Sequence, residues 1–216
     1  VAVDARGGVH AVWDQLVPTD RQAESTEGGE REFLSDLFYA RSIDGGRIWK
    51  PSLNLSNTPV GCTREQIEID PAGTIWVSWD EGWDRLTEKG KQESGWLVHS
   101  TDGGETWSAP VVFDQPEKTN VQLATASDGR GTVLAVWRAT TRDEIFYSVS
   151  RDGARTWTAP AAIPGLYARA WEWPRFDAYD LAVDGAGVFH LAAVARRTLV
   201  SGPDDESDGL YHLAWD

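Results

Sequence analysis

Ser42-Ile-Asp44-Gly-Gly46-Arg-Ile-Trp49, Ser100-Thr-Asp102-Gly-Gly104-Glu-Thr-Trp107 and Ser150-Arg-Asp152-Gly-Ala154-Arg-Thr-Trp157 are three copies of one pattern in a chain of 216 residues. The Asp-Gly and Gly-Gly steps supply the positive backbone dihedrals of a tight hairpin, and the Asp carboxylate can accept hydrogen bonds from the turn's own amides. The Trp that ends each copy can fold back over the turn, bury its ring and offer its indole N–H to a carbonyl. The three Asp residues are spaced by 58 and 50 residues, the mark of a repeat architecture.

A second periodicity runs in phase with the first. Asp4-Ala-Arg-Gly7, Asp70-Pro-Ala-Gly73, Asp128-Gly-Arg-Gly131 and Asp184-Gly-Ala-Gly187 are turn signals spaced by 66, 58 and 56 residues. Nine positions after each Asp stand Trp13, Trp79, Trp137 and, in the fourth copy, Ala193. Apolar runs flank every turn, so each reads as a hairpin of two short, largely buried strands. A third strand precedes each box (Leu37 to Arg41, Trp96 to His99, Ile145 to Val149) and a fourth follows it (Pro51 to Leu55, Pro110 to Phe113, Pro160 to Ile163). The predicted unit is four antiparallel strands, with nothing that reads as a long amphipathic helix.

Four-stranded units with two apolar faces must stack on one another, and radial stacking gives a β-propeller of four-stranded blades. The chain reads as one all-β domain over residues 1–216, with blades at about 1–56, 64–114, 120–164 and 178–216. An open arc of about three and a half blades would leave an apolar sheet face at each end in water. The sequence is therefore expected to be an excerpt of a longer chain; the alternatives are a complete four-bladed ring and a ring closed by a partner subunit.

The boxes resemble the Asp-box (bacterial neuraminidase, BNR) repeats of the sialidase superfamily of β-propellers. The second box fits the family pattern at every defined position, and the third carries Ala154 where Gly is usual. The resemblance implies a six-bladed ring, with the boxes on the face away from the active site, so it marks the fold more strongly than the activity.

Composition narrows the partners. A net charge of −14 argues against nucleic acid and mildly against anionic membrane surfaces. No apolar run reaches the length of a membrane span. Cys62, the single cysteine, can form neither an internal disulfide nor a thiolate metal cluster and reads as a free thiol. A sialidase of this charge would need a strongly cationic local pocket. The resemblance leans towards an extracellular or secreted protein.

In up-and-down blades the Asp turns and the boxes share one face of the disc. The opposite face, where function on a propeller usually lives, carries the segments Gln15 to Asp36, Asp80 to Gly95, Arg138 to Glu144 and Arg196 to Gly209. It also carries the linkers Asn54 to Arg64, Asp114 to Asn120 and Pro164 to Asp177. In the last linker, Arg169, Trp171, Glu172, Trp173 and Arg175 can form a sugar platform of aromatic faces and guanidinium forks. The alternative is that Trp171 and Trp173 plug a gap between blades. Asp14, Asp80 and Arg138 each follow a periodic Trp at a strand end and are expected to cluster over the channel, either as a binding site or as an ordinary ion pair. Trp83 can lean over the same channel. Asp204, Asp205, Glu206 and Asp208 could hold calcium but lack EF-hand spacing and read as a solvated turn. His10, His99, His190 and His212 show no paired ligand spacing and read as structural, so neither a metal site nor a cofactor is assigned.

Catalytic identity is a separate question. The resemblance implies three arginines for a substrate carboxylate, a Tyr nucleophile paired with a Glu, and an Asp acid/base. Many relatives also carry Arg-Ile-Pro before the first box. Here Arg47-Ile48 is followed by Trp49 inside a box, and no catalytic residue can be assigned by motif; Tyr167 near Glu172 is only a suggestive pair. Two functions stand: a non-catalytic propeller binding a glycan or protein partner on its loop face or serving as a structural module of an extracellular assembly, and an exo-α-sialidase or related glycoside hydrolase whose remaining blades lie outside this chain.

Overall fold

The Asp turns and boxes set the strand boundaries. In each of the four turns the Asp Oδ1 (Asp4, Asp70, Asp128, Asp184) accepts from the amides two and four residues on, at 2.7–3.0 Å. The computed structural model describes residues 1–18, 33–84, 89–113, 120–139, 144–168, 179–196 and 209–216. Fifteen strands follow in order. The first sheet is β1 (Ala2–Val3), β2 (Val9–Pro18), β3 (Phe33–Ser42) and β4 (Leu53–Asn54). The second is β5 (Cys62–Ile69), β6 (Ile75–Asp84), β7 (Lys89–Ser100) and β8 (Val111–Phe113). The third unit is β9 (Asn120–Ser127), β10 (Val133–Ala139), β11 (Glu144–Ser150) and β12 (Ala161–Ala168). The fourth is β13 (Tyr179–Val183), β14 (Phe189–Arg196) and β15 (Gly209–Trp215). Every pairing is antiparallel, and no helix occurs among the described residues.

Three expectations need correction. Gln15 to Pro18 and Phe33 to Asp36 are strand, as are Asp80 to Asp84 and Lys89 to Gly95, because backbone pairing carries the β2–β3 and β6–β7 ladders beyond the apolar runs. The fourth strand of the third unit does not stop at Ile163. It continues to Ala168 and pairs through Tyr167 and Ala168 with Arg196 and Ala195 of β14. The third and fourth units therefore share one seven-stranded sheet rather than standing as two. The first and fourth strands of the first sheet are two residues each, shorter than the apolar runs suggested.

The core lies between successive units. Leu37, Ile75, Val77 and Trp79 pack between the first and second; Leu97, Val133, Trp137 and Ala154 between the second and third; Leu134, Ile145, Leu191 and Ala193 between the third and fourth. Trp79 and Trp137 are at most 1% exposed, and each such side chain contributes about 3 kcal/mol by removal from water.

The boxes are near copies in space. Ser42, Ser100 and Ser150 donate to Oδ1 of Asp44, Asp102 and Asp152 at 2.6–2.8 Å. The same Oδ1 atoms accept two amides each, from Arg47 and Ile48, Glu105 and Thr106, and Arg155 and Thr156. Trp107 meets Tyr39 of the preceding unit edge-on at 4.8 Å, and Trp157 meets Phe113 likewise at 4.9 Å. Only the Trp49 indole finds the expected carbonyl, Gly46 O at 3.0 Å. The other two indole nitrogens are buried against the neighbouring unit with no hydrogen-bond partner, so packing on an aromatic outweighs the turn contact. Trp49 is 42% exposed.

The third box departs from the pattern for a reason that the contacts supply. A Cβ at Gly104, where φ is +86°, would collide with the Tyr39 hydroxyl and stand 2.5 Å from its Cζ. The strand position equivalent to Tyr39 in the second unit is Leu97, which shares an apolar cluster with Ala154. With no phenol there, the methyl group of Ala154 is accommodated at φ +68°.

Candidate functional site

At the loop-face end, Asp80 lies within β6, beside the first strand of the third unit. It is 1% exposed. Arg64 Nη1 donates to its Oδ2 at 2.7 Å, Gln122 N donates to Oδ2 at 2.6 Å and Leu123 N to Oδ1 at 3.2 Å. Burial pushes the Asp80 carboxyl up while Arg64 and the two amides pull against it. Arg64 and Gln122 both have positive φ, +56° and +60°, at register shifts in β5 and β9. These equivalent β-bulges re-aim the strand so that a side chain and an amide meet one carboxylate.

Tyr179, which opens β13, ties the fourth unit into the same knot. Its hydroxyl donates to Gln122 O at 2.6 Å and accepts from the Arg138 amide. Burial raises its pKa well above that of free tyrosine, with Asp80 adding to the rise. Asp80 and Arg138 thus both lie near Tyr179, as the strand-end spacing suggested, but the carboxylate's ion pair is with Arg64. The Asp14 amide donates to Glu65, whose pKa is raised by burial and by the Asp14 charge.

Two further acidic groups at this end escaped the sequence reading. Asp36 accepts from Asn54 Nδ2 at 2.6 Å and Ser56 Oγ at 3.5 Å. Glu81 accepts from the Trp79 indole at 2.8 Å, and burial raises its pKa. Their only sequence signal was position at strand ends, which says nothing of partners from other strands. Tyr167 pairs across the sheet with Glu144 on one side and Arg196 on the other. The Cys62 thiol is free and buried, and burial pushes it up.

A cavity of about 400 Å³ runs between the first strands of the units, lined by Glu65, Gln66 and Glu68 of β5, Ser78 of β6, Thr125 of β9 and Asp180 of β13. Glu68 is pushed up to about 8 by burial and by Asp70 and Asp180, against a hydrogen bond from the Ser127 amide. Its Oε1 is buried with no hydrogen-bond partner.

Arg169, Trp171, Glu172, Trp173 and Arg175, with the acid cluster at 204–208, lie outside the described residues. Trp83 lies in β6 opposite Gly90, and its side chain is likewise outside them. His190 Nδ1 stands 2.9 Å from His212 Nε2, with Asp184 3.2 Å from the other His190 nitrogen. This pair was invisible as ligand spacing because it spans two strands. Ring centroids 5.2 Å apart and nearly coplanar rings are the geometry of a linear hydrogen bond between the imidazoles. Among the described residues no group of three or more His, Cys, Asp or Glu is placed to hold a metal ion.

No protein-family model matches the chain. It is 25% identical over 166 residues to a sialidase of Paraclostridium sordellii, covering 63% of this chain and 41% of that one. Among solved structures, a Dyadobacter fermentans protein of unknown function superposes with TM-score 0.61 at 20% identity, over 88% of this chain and 54% of its own. The NanB sialidase of Streptococcus pneumoniae superposes with TM-score 0.54 at 16% identity, over 94% of this chain and 34% of its own. The chain has a sialidase-like all-β fold. It spans between a third and just over half the length of these proteins. Among the described residues no helix is long and apolar enough to cross a membrane.

Proposed function

We propose that this chain forms Asp-box blades of a sialidase-like β-propeller that binds a glycan, or a protein partner, on its loop face without hydrolysing sialosides. The blades are residues 1–56, 64–114, 120–164 and 178–216, the third carried on by β12 to Ala168; the ring is completed by further blades, and the protein works outside the cell. The observation that carries the non-catalytic reading is the state of the strand-end groups. The Asp80 carboxylate is saturated by Arg64 and two amides, and the Tyr179 hydroxyl is bonded on both sides. A general acid must be able to give up its proton to substrate, and a nucleophile must reach it. Groups whose bonds tie strands together meet neither condition.

The sialidase alternative draws on the P. sordellii relative and on Tyr167 between Glu144 and Arg196. That trio lies on β11, β12 and β14, away from the first strands that line the cavity. The test is to incubate the full-length protein with a fluorogenic sialoside and to screen the same sample on a glycan array. Binding without turnover supports the proposal; turnover lost in Tyr167→Phe establishes the alternative.

A further inference from the structure

We infer that the axial cavity accepts a sugar bearing a free amino group, selected by Glu68 and Asp180; the inference rests on the glycan-binding reading above and names the ligand class. A volume of about 400 Å³ falls within the range of small-ligand sites and suits a monosaccharide. The polar lining supplies hydroxyl partners in Gln66, Ser78 and Thr125, but among the described residues its charged side chains are all acidic: Glu65, Glu68 and Asp180.

The acids are not equivalent. Glu65 has the Asp14 amide near it. Asp70, behind Glu68, is already saturated by the Ala72 and Thr74 amides, the Trp76 indole and the Ser127 hydroxyl. Glu68 differs. One of its oxygens is buried with no hydrogen-bond partner, which carries a desolvation cost that a ligand donor would remove. Its pKa is raised to about 8 chiefly by burial, and Asp70 and Asp180 add a repulsion that an ammonium group would offset. An ammonium brings three donors and one positive charge, matching two facing carboxyl groups better than a hydroxyl does. A carboxylate or sulfate sugar would instead add a like charge to this wall.

The test is calorimetry on the full-length protein at pH 7 with a glucosamine disaccharide, its fully N-acetylated counterpart and 3′-sialyllactose as probes. The amine-bearing disaccharide is expected to bind at least tenfold more tightly than the acetylated one. Asp180→Asn, at an exposed position that leaves the fold intact, and Glu68→Gln should each weaken it at least fivefold while leaving the urea midpoint no lower. Equal or tighter binding of the acetylated disaccharide, or unchanged affinity in both variants, overturns the inference. Binding of sialyllactose alone would leave the glycan-binding reading standing and this inference fallen; binding of a protein partner and no glycan would remove the amino-sugar ligand altogether.

Discussion

Gly104→Ala should be among the most damaging single-methyl changes in this protein, and the damage should depend on Tyr39. Two costs add. The left-handed backbone, φ +86°, penalises an L side chain by about 1–2 kcal/mol. Forcing a methyl against the Tyr39 ring adds an overpacking cost of about 1–3 kcal/mol. The sum, about 3 kcal/mol, corresponds to a fall of roughly 1 M in urea midpoint for a slope near 2–3 kcal/mol per molar. Tyr39→Leu copies the pairing of Leu97 with Ala154 and removes the obstructing phenol. By itself it also costs stability, since the hydroxyl hydrogen-bonds His10 Nδ1 at 2.7 Å and the ring meets Trp107. In the Tyr39→Leu background, however, the methyl should cost only the backbone term. The double-mutant cycle, measured by urea denaturation followed by tryptophan fluorescence, should therefore show favourable coupling of at least about 1 kcal/mol. Additivity within error would refute the claim that the third box tolerates Ala154 because its neighbour is not a tyrosine.

Further outcomes follow from the same contacts. Ala154→Gly should be nearly neutral, within about 0.5 kcal/mol by urea midpoint, because relief of the left-handed backbone offsets one buried methyl. The Asp152 carboxyl is held at about 2 chiefly by the Thr156 hydroxyl and amide and the Ser150 hydroxyl, and Asp102 is depressed by the equivalent Thr106 and Ser100 groups. The first box has Ile48 in place of that threonine. Asp44, lowered by Ser42 and the Ile48 and Arg47 amides, should therefore titrate above both in carbon-detected NMR. For these depressed acids the stabilisation is present above the unfolded carboxylate pKa and is lost as pH falls from about 4 towards 2; Thr156→Val should move its loss to higher pH. Asp80→Ala should cost about 3–5 kcal/mol in urea denaturation, since the Arg64 charge and two buried amides lose their acceptor. A loss below about 1 kcal/mol would mean that water reaches the site.

The all-β units were legible because turn chemistry is local: an Asp with its own amides, a Gly at positive φ and a Trp a few residues on are written within eight positions. The strand-end framework was not, because its bonds join residues far apart in sequence, as from Asp80 to Gln122 or Gln122 to Tyr179. The two bulges that aim Arg64 and Gln122 carry no Gly to announce a positive φ. Strand ends were underestimated for a related reason: Gln15 to Pro18 and Asp80 to Asp84 break the polar–apolar alternation, and backbone pairing sustains their ladders. The substitution of Ala154 looked like a weakened copy in one dimension and is compensated by Leu97 in three. Asp14, Asp80 and Arg138 were singled out by position alone, which brought Asp80 and Arg138 to one phenol but could not reveal that Arg64 would take the carboxylate.

The strand-end groups fasten neighbouring units rather than react, and the urea midpoint of Tyr179→Phe tests this most directly. Removing the hydroxyl leaves the Gln122 carbonyl and the Arg138 amide buried without their shared partner, so stability should fall by about 1–3 kcal/mol. An unchanged midpoint would show that this hydroxyl holds nothing together, and would contradict the claim.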